Sequence, residues 1–248
     1  MWAPPVALAL LALVAYLVMT RPLQLPAAAV TDAYVINLAR NGERLERFTA
    51  SFNAADLATS VGLQRLDATD GREVDWAAYV HSDAMDKMLE VERTGKRQGH
   101  PDLTPGAVGC YLSHMRAWRR IADSGAPHGF VFEDDATLRP DAMARFETAV
   151  RELREAGHEW DMVLLGHWGT GTPVSPGAQR MDSFLLLHGY VLSARAARFL
   201  CDHMLPIKQQ VDWELNEHIR SGALRVYGLR HMAAEVQWQG TDIQTPLA

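Results

Sequence analysis

The run Phe130-Val131-Phe132 passes without a break into Glu133-Asp134-Asp135, and that junction limits the possible folds sharply. A short apolar run bounded by turn signals reads as a buried strand. Carboxylates buried without partners are costly, so the strand has to end where its acids meet water or a cation. The mouth of an open α/β sheet provides such a place, because ligands collect outside the carboxyl ends of its strands. Mg²⁺ and Mn²⁺ suit carboxylates, water and phosphate oxygens. Residues two apart on an extended strand share a face. Glu133 and Asp135 are therefore the paired metal candidates, and Asp134 faces away, toward a ribose or the loop. The local alternative is a solvated turn leading into a helix, where acids are also favourable.

The surrounding pattern agrees with an α/β domain. Strands are expected at Ala33–Leu38, Val61–Leu66, Trp160–Leu165, Phe184–Leu187 with Tyr190–Leu192, and Leu224–Tyr227. Helical spacing is expected after Arg44 (Leu45, Phe48, Phe52), over 107–121, from Asp141 to Glu155, over 194–203 behind a Ser193 cap, and over 212–220. Strands interspersed with helices predict a mostly parallel central sheet flanked by helices. The stretch 75–101 reads as a lid or insertion, and Gly166–Gly177, dense in glycine and proline, reads as a loop.

The chain has 248 residues, with 24 Lys plus Arg against 30 Asp plus Glu. This charge balance, without a sustained basic stripe, argues against nucleic acid as a partner. Cys110 and Cys201 have no metal-type spacing and read as small buried hydrophobes. At the N-terminus, Val6–Met19 is apolar throughout but only fourteen residues long, against the ~20 of a spanning helix. The expectation is a short apolar helix anchoring the chain to a membrane, so that residues 1–29 form an anchor or signal segment with a stem and 30–248 a catalytic domain. A cleaved signal ending near Ala27-Ala28-Ala29 and a packing helix are the alternatives. Arg21 and Arg40 favour a cytoplasmic catalytic side by the positive-inside tendency, against a Golgi or ER lumen or secretion after cleavage.

Together AYVINLARNGERLERF, LDATDG, LTPGAVGCYLSH, GFVFEDDATLRP, HGYVLSARAARFL and PIKQQVDWEL resemble glycosyltransferase family 25, which includes bacterial lipopolysaccharide and lipooligosaccharide glycosyltransferases and relatives acting on collagen. They follow the family's order and span most of the chain from residue 33. The resemblance implies a GT-A-like fold, a nucleotide-sugar donor (commonly UDP-galactose) and inversion at the anomeric carbon. The acceptor is then a hydroxyl of a glycan of lipopolysaccharide type, or of a glycoprotein. It puts the acidic metal motif on Glu133 and Asp135, the first-strand motif on Asn37-Leu38 with Arg44, the glycine–serine–histidine segment on Gly109, Ser113 and His114, and a late aspartate on Asp212.

Under that resemblance Arg44 meets a diphosphate with its planar donor fork, where the bland reading is an exposed helix arginine. Asn37 serves a nucleotide pocket or ties down the following turn. Asp70 receives sugar hydroxyls or makes a structural turn. His114 contacts phosphate or orients an acidic ligand, or is simply a satisfied structural histidine. Neighbouring Ser113 and His114 supply no triad or oxyanion hole, which rules out a serine-hydrolase reading. Asp212 is the first choice for the base that takes the acceptor proton, with Glu214 its rival and a helix cap the alternative. His188 is a candidate sugar contact, and His231 a candidate to complete the Mn²⁺ or Mg²⁺ shell from the C-terminal side. Residues 238–243 are expected to close over the donor. Two other functions share these residues: metal-dependent nucleotidyl transfer or phosphohydrolysis, and non-catalytic glycan binding by a membrane-tethered protein.

Overall fold

The computed structural model describes residues 32–237. Its centre is an eight-stranded sheet. The strands are β1 (Asp32–Asn37), β2 (Gly62–Asp67), β3 (His128–Glu133), β5 (Met162–Leu164), β6 (Trp168–Pro173), β7 (Ala178–Leu185), β8 (Gly189–Ser193) and β9 (Val226–Leu229). They lie in the order β2-β1-β3-β8-β5-β9-β7-β6. A separate two-stranded ladder joins β4 (Ala136–Leu138) to β10 (Ala234–Val236).

Central strands bury both faces, so alternate residues feed two different cores. From β1, Tyr34 and Ile36 enter one core, and Ala33 and Val35 enter the other. Val131 is divided in the same way from Phe130 and Phe132, and Tyr190 and Leu192 from Val191. This is why these strands read as unbroken apolar runs. The first core is covered by α2 (Ser82–Thr94), α3 (Pro105–Asp123), α5 (Ala194–His203) and α6 (Val211–Arg220), and the second by α1 (Gly42–Ala54) and α4 (Ala142–Glu155). Local chemistry starts the helices where expected. The Thr104 hydroxyl accepts from Ala107 N–H at 3.0 Å, with Pro105 in the first turn of α3, and Ser193 accepts from Ala196 N–H at 3.1 Å to start α5.

The sheet is mixed, which corrects the expectation of a mostly parallel one. β1 runs parallel to β2 and β3, and β5 parallel to β9. β8 is antiparallel to both β3 and β5, and β7 is antiparallel to β6 and β9. Apolar periodicity reports burial on two faces and is silent on strand direction, so the reversal of β8 was not readable. Half of the expected loop at 166–177 is strand, β6 at Trp168–Pro173. β6 pairs with β7 as a hairpin whose register shifts between Thr170 and Gly171. Glycines on this edge strand mark close approach: a Cβ at Gly169 would sit 2.2 Å from the Ser183 carbonyl. The 75–101 stretch is no separate lid, since Val80, Ala84 and Met88 are part of the core.

Among the described residues no helix is long and apolar enough to cross a membrane. The expectation of a single-pass transmembrane protein, and the placement on one side of a membrane built on it, is corrected accordingly. The apolar run that prompted it, at 6–19, and the closing segment at 238–243 lie outside the described residues.

Candidate active site

A cavity of about 530 Å³ opens at the carboxyl ends of β1, β2 and β3. Glu133 is the last residue of β3, and Asp134 and Asp135 form the turn into β4. The bend replaces simple strand alternation, yet all three acids still line the cavity. Asp134 is buried, accepting from Asn37 Nδ2 at 2.6 Å and pairing with Arg44 at 2.8 Å. Asn37 also donates to the Asn41 carbonyl at 2.9 Å and accepts from Arg65 Nε at 3.0 Å. Its amide therefore joins the ends of β1 and β3, and Asn37 itself is not part of the cavity wall. The Arg44 guanidinium, presented by the first turn of α1, reaches Asp135 at 3.0 Å as well.

Behind Glu133 runs a directed hydrogen-bond chain through the core. Trp118 Nε1–H donates to the Tyr190 oxygen at 2.8 Å. The Tyr190 oxygen lies 2.9 Å from His114 Nδ1, and His114 Nε2 lies 3.1 Å from Glu133 Oε1. Since the indole can only donate, the chain closes without an orphan when Tyr190 donates to Nδ1 and Nε2–H donates to the carboxylate. Burial opposes ionisation of Glu133, but the His114 hydrogen bond, with the charge of Arg44, outweighs it and holds its carboxyl below the usual range. Asp135 goes the other way. Burial first, and then the charge of Glu133, push its carboxyl up to about 7.

The 67–71 loop is seated on α3 by backbone contact. A Cβ at Gly109 would lie 2.5 Å from the Thr69 carbonyl, and one at Gly71 would lie 1.6 Å from the Pro105 carbonyl. Ser113 completes this seat, accepting from Thr69 N–H at 2.8 Å and donating to the Gly109 carbonyl at 2.6 Å. Asp70 caps the short turn at Gly71–Glu73 through Arg72 N–H at 3.1 Å and pairs with Arg40. The backbone bond and then Arg40 hold its carboxyl below the ordinary range.

At the far end of the cavity stands Asp212, in the first turn of α6. It accepts from Leu186 N–H at 3.3 Å and from Trp213 N–H at 2.9 Å. Burial nevertheless raises its carboxyl above the usual range, with Glu133 adding to the shift. Leu186 holds its N–H there with φ of 74°, a left-handed conformation that a leucine adopts only under tertiary constraint. Gln210, not Asp212, occupies the cap position of α6.

The donor set fits a hard divalent cation. Asp135 Oδ1 is buried without a hydrogen-bond donor, and the raised carboxyl marks uncompensated negative charge. Ligand atoms of Cys110, His114 and Glu133 also lie within 4.8 Å of one another. In that trio, however, both imidazole nitrogens are already engaged, and burial pushes the thiol well above its ordinary range. Mn²⁺ and Mg²⁺ are better served by Glu133 and Asp135. Glu214 lies on α6 outside the cavity wall, and His231 is exposed and likewise not part of it. The histidines in the wall are His100, His114 and His188. Sequence reasoning passed over Trp168, Leu186 and Cys110 as parts of this site. Nothing local signals them, because three distant segments meet only in the folded chain.

Residues 30–172 match the family described as Glycosyltransferase family 25 (LPS biosynthesis protein). The chain is similar to procollagen galactosyltransferase 1 of Danio rerio, 26% identical over 209 residues, covering 79% of this chain and 33% of that protein. It is also similar to inactive glycosyltransferase 25 family member 3 of Homo sapiens, 31% identical over 150 residues, covering 59% of this chain and 24% of that protein. The chain thus spans a third or less of the length of these relatives. Among solved structures, apo-UDP-glucose pyrophosphorylase is similar at 10% identity and a TM-score of 0.44, covering 81% of this chain and 90% of that one. That likeness is too distant to carry any inference.

Proposed function

The chain belongs to glycosyltransferase family 25, and from that premise we propose that its cavity binds a nucleotide sugar with Mn²⁺ or Mg²⁺ and transfers the sugar to a hydroxyl of a glycan or glycoprotein acceptor. One observation carries the reading. A single cavity gathers the cations Arg40 and Arg44, the acids Glu133 and Asp135, and a separate, partly buried carboxylate at Asp212.

The roles follow from the chemistry. Arg40 and Arg44 offer planar donor forks to paired phosphate oxygens. Glu133 and Asp135 would hold the cation, and when bound it offsets charge developing on the departing diphosphate. His114, oriented by Tyr190, holds Glu133 ionised and aimed. Asn37 fixes Asp134, and through it the turn carrying Asp135. Asp212, raised by burial and placed away from the phosphate end, accepts the proton of the attacking hydroxyl. A single displacement with this base on the acceptor side inverts the anomeric centre. Galactose is the sugar that the names of the procollagen galactosyltransferase relatives bring forward.

A second reading has its own support. Several similar proteins carry "inactive" in their names, at identities of 29–31% against 22–26% for the procollagen galactosyltransferases. In that reading the cavity binds nucleotide or glycan without turnover. Incubating the purified protein with a panel of nucleotide sugars and acceptor oligosaccharides, with Mn²⁺ or chelator, separates the readings by mass spectrometry. Transfer yields a new glycoside and an intact nucleoside diphosphate only with the cation. A nucleotidyltransferase or phosphohydrolase yields a broken diphosphate. Binding with no product under any donor supports the non-catalytic reading and refutes transfer.

A further inference from the structure

A second cavity, of about 650 Å³, lies at the other end of the sheet. In its wall Pro127, Trp160 and Arg225 stand just before β3, β5 and β9, and Ser193 ends the antiparallel β8. Ligands of an open α/β sheet usually collect at the carboxyl ends of its strands, where the first cavity opens. This one is at the amino ends, separate from the chemistry proposed above.

The wall carries Arg154, Arg195, Arg198 and Arg225 against one carboxylate, Glu159. Such a surplus is local, since the chain as a whole is acidic, with 24 Lys plus Arg against 30 Asp plus Glu. A buried acid holds two of the four guanidiniums. Asp161, 1% exposed, pairs with Arg195 through one carboxylate oxygen. Its other oxygen accepts from Arg225 Nε at 3.1 Å and from Arg225 N–H at 3.0 Å. Arg225 also reaches Glu159 at 2.5 Å. A guanidinium has five N–H donors, so both arginines keep donors beyond these bonds while losing freedom to move. The other two are not neutralised. Among the described residues the Arg154 side chain makes no hydrogen bond or ion pair, and Arg198 reaches only the Ala122 carbonyl, at 3.4 Å.

Arg195 and Arg198 lie at the start of α5, which has no acid in its first turn. The helix dipole is positive at that end, so a cation there is disfavoured by roughly 0.3–1 kcal/mol. Two arginines from α5, one from the last turn of α4 and one from the entry to β9 thus add to a potential that is already positive. An ordinary solvated helix start would carry acids instead. A bound anion relieves the repulsion.

We propose that this cavity is an anion site that takes the phosphate group of a phosphate ester. Planar guanidinium forks match paired phosphate oxygens. Ala126, Pro127, Val150 and Trp160 in the same wall offer apolar surface to the carbon-bearing part. A free phosphate ion forgoes that contact, so an ester binds more tightly. The site does not depend on the nucleotide-sugar reading.

The test is calorimetric titration of the purified protein at low ionic strength, where charge pairing is least screened, with glucose 6-phosphate, inorganic phosphate and glucose as probes. Wild type is expected to bind glucose 6-phosphate more tightly than inorganic phosphate, to ignore glucose, and to behave alike with UDP and Mn²⁺ present. R154A/R198A removes two cations that hold no carboxylate, so it should melt as wild type does while glucose 6-phosphate affinity falls at least about tenfold. R119A/R151A removes the same charge from exposed positions outside the wall and should bind as wild type does. Four results would overturn the proposal: no glucose 6-phosphate binding by wild type, undiminished binding by R154A/R198A, an equal loss in R119A/R151A, or displacement by UDP with Mn²⁺. The third would make the effect one of net charge, and the fourth would put the phosphate in the first cavity. Inorganic phosphate binding as tightly as glucose 6-phosphate would refute the assignment to an ester.

Discussion

Asp135 offers a direct test of the cation site that needs no knowledge of donor or acceptor. Its carboxyl is raised from 3.8 to about 7, by burial and then by the charge of Glu133. In the unfolded chain it ionises near the ordinary value, so between roughly pH 4 and 7 the folded state holds a proton that the unfolded state has released. The associated stability is full below about pH 4, is lost as pH rises, and is gone above about pH 7. A shift of about three units corresponds to at most about 4 kcal/mol. Asn mimics the protonated acid, so D135N should escape this loss. With chelator present, urea unfolding at pH 8 should find D135N more stable than wild type by about 2–4 kcal/mol. Thermal midpoints should differ by roughly 4–16 °C for a chain of this size. At pH 4 the two should converge. Adding Mn²⁺ at pH 8 should stabilise wild type and leave D135N nearly unmoved. If D135N is no more stable than wild type at pH 8, or the difference is the same at pH 4, Asp135 is an ordinary solvated carboxylate and the cation site is misassigned.

Other consequences are equally specific. Y190F strands Trp118 Nε1–H and His114 Nδ1 in the core, so it should cost about 2–4 kcal/mol in urea unfolding and raise the Mn²⁺ concentration needed for half-maximal UDP binding; an unchanged Mn²⁺ requirement would remove the chain from any part in orienting Glu133. G109A drives a Cβ into the Thr69 and Gly71 backbone, so calorimetry should show UDP affinity falling at least about tenfold as the 67–71 loop is displaced. D212N should bind UDP normally while glycoside formation falls by about 10²–10⁴, read as product by mass spectrometry, and normal turnover would dismiss Asp212 as the base.

Much of the fold was legible because its signals are local. Thr104 with Pro105 and Ser193 mark helix starts through bonds made within three residues, and Leu45, Phe48 and Phe52 reveal one helical face. The acidic step after Phe132 was legible because apolar and charged residues cannot share one environment. Strand direction was not, since Val191 and its neighbours on β8 are buried on both faces whichever way the strand runs. The glycines and proline of 169–173 imitate a loop, but they serve an edge strand whose partner, at 178–185, lies across a register shift.

By itself the sequence determined most of the buried strands and amphipathic helices, though not β6, the start of β7 or α2, together with the three carboxylates at the end of one strand and the chain's resemblance to its family. Only the tertiary structure decided that Asn37 and Arg44 hold Asp134, that Tyr190 orients His114, that Asp212 faces the same cavity as Glu133, and that Trp168 lines it too. Local preferences act over a few residues, whereas these pairings join positions tens of residues apart. Their geometry exists only after two cores have packed against opposite faces of one sheet.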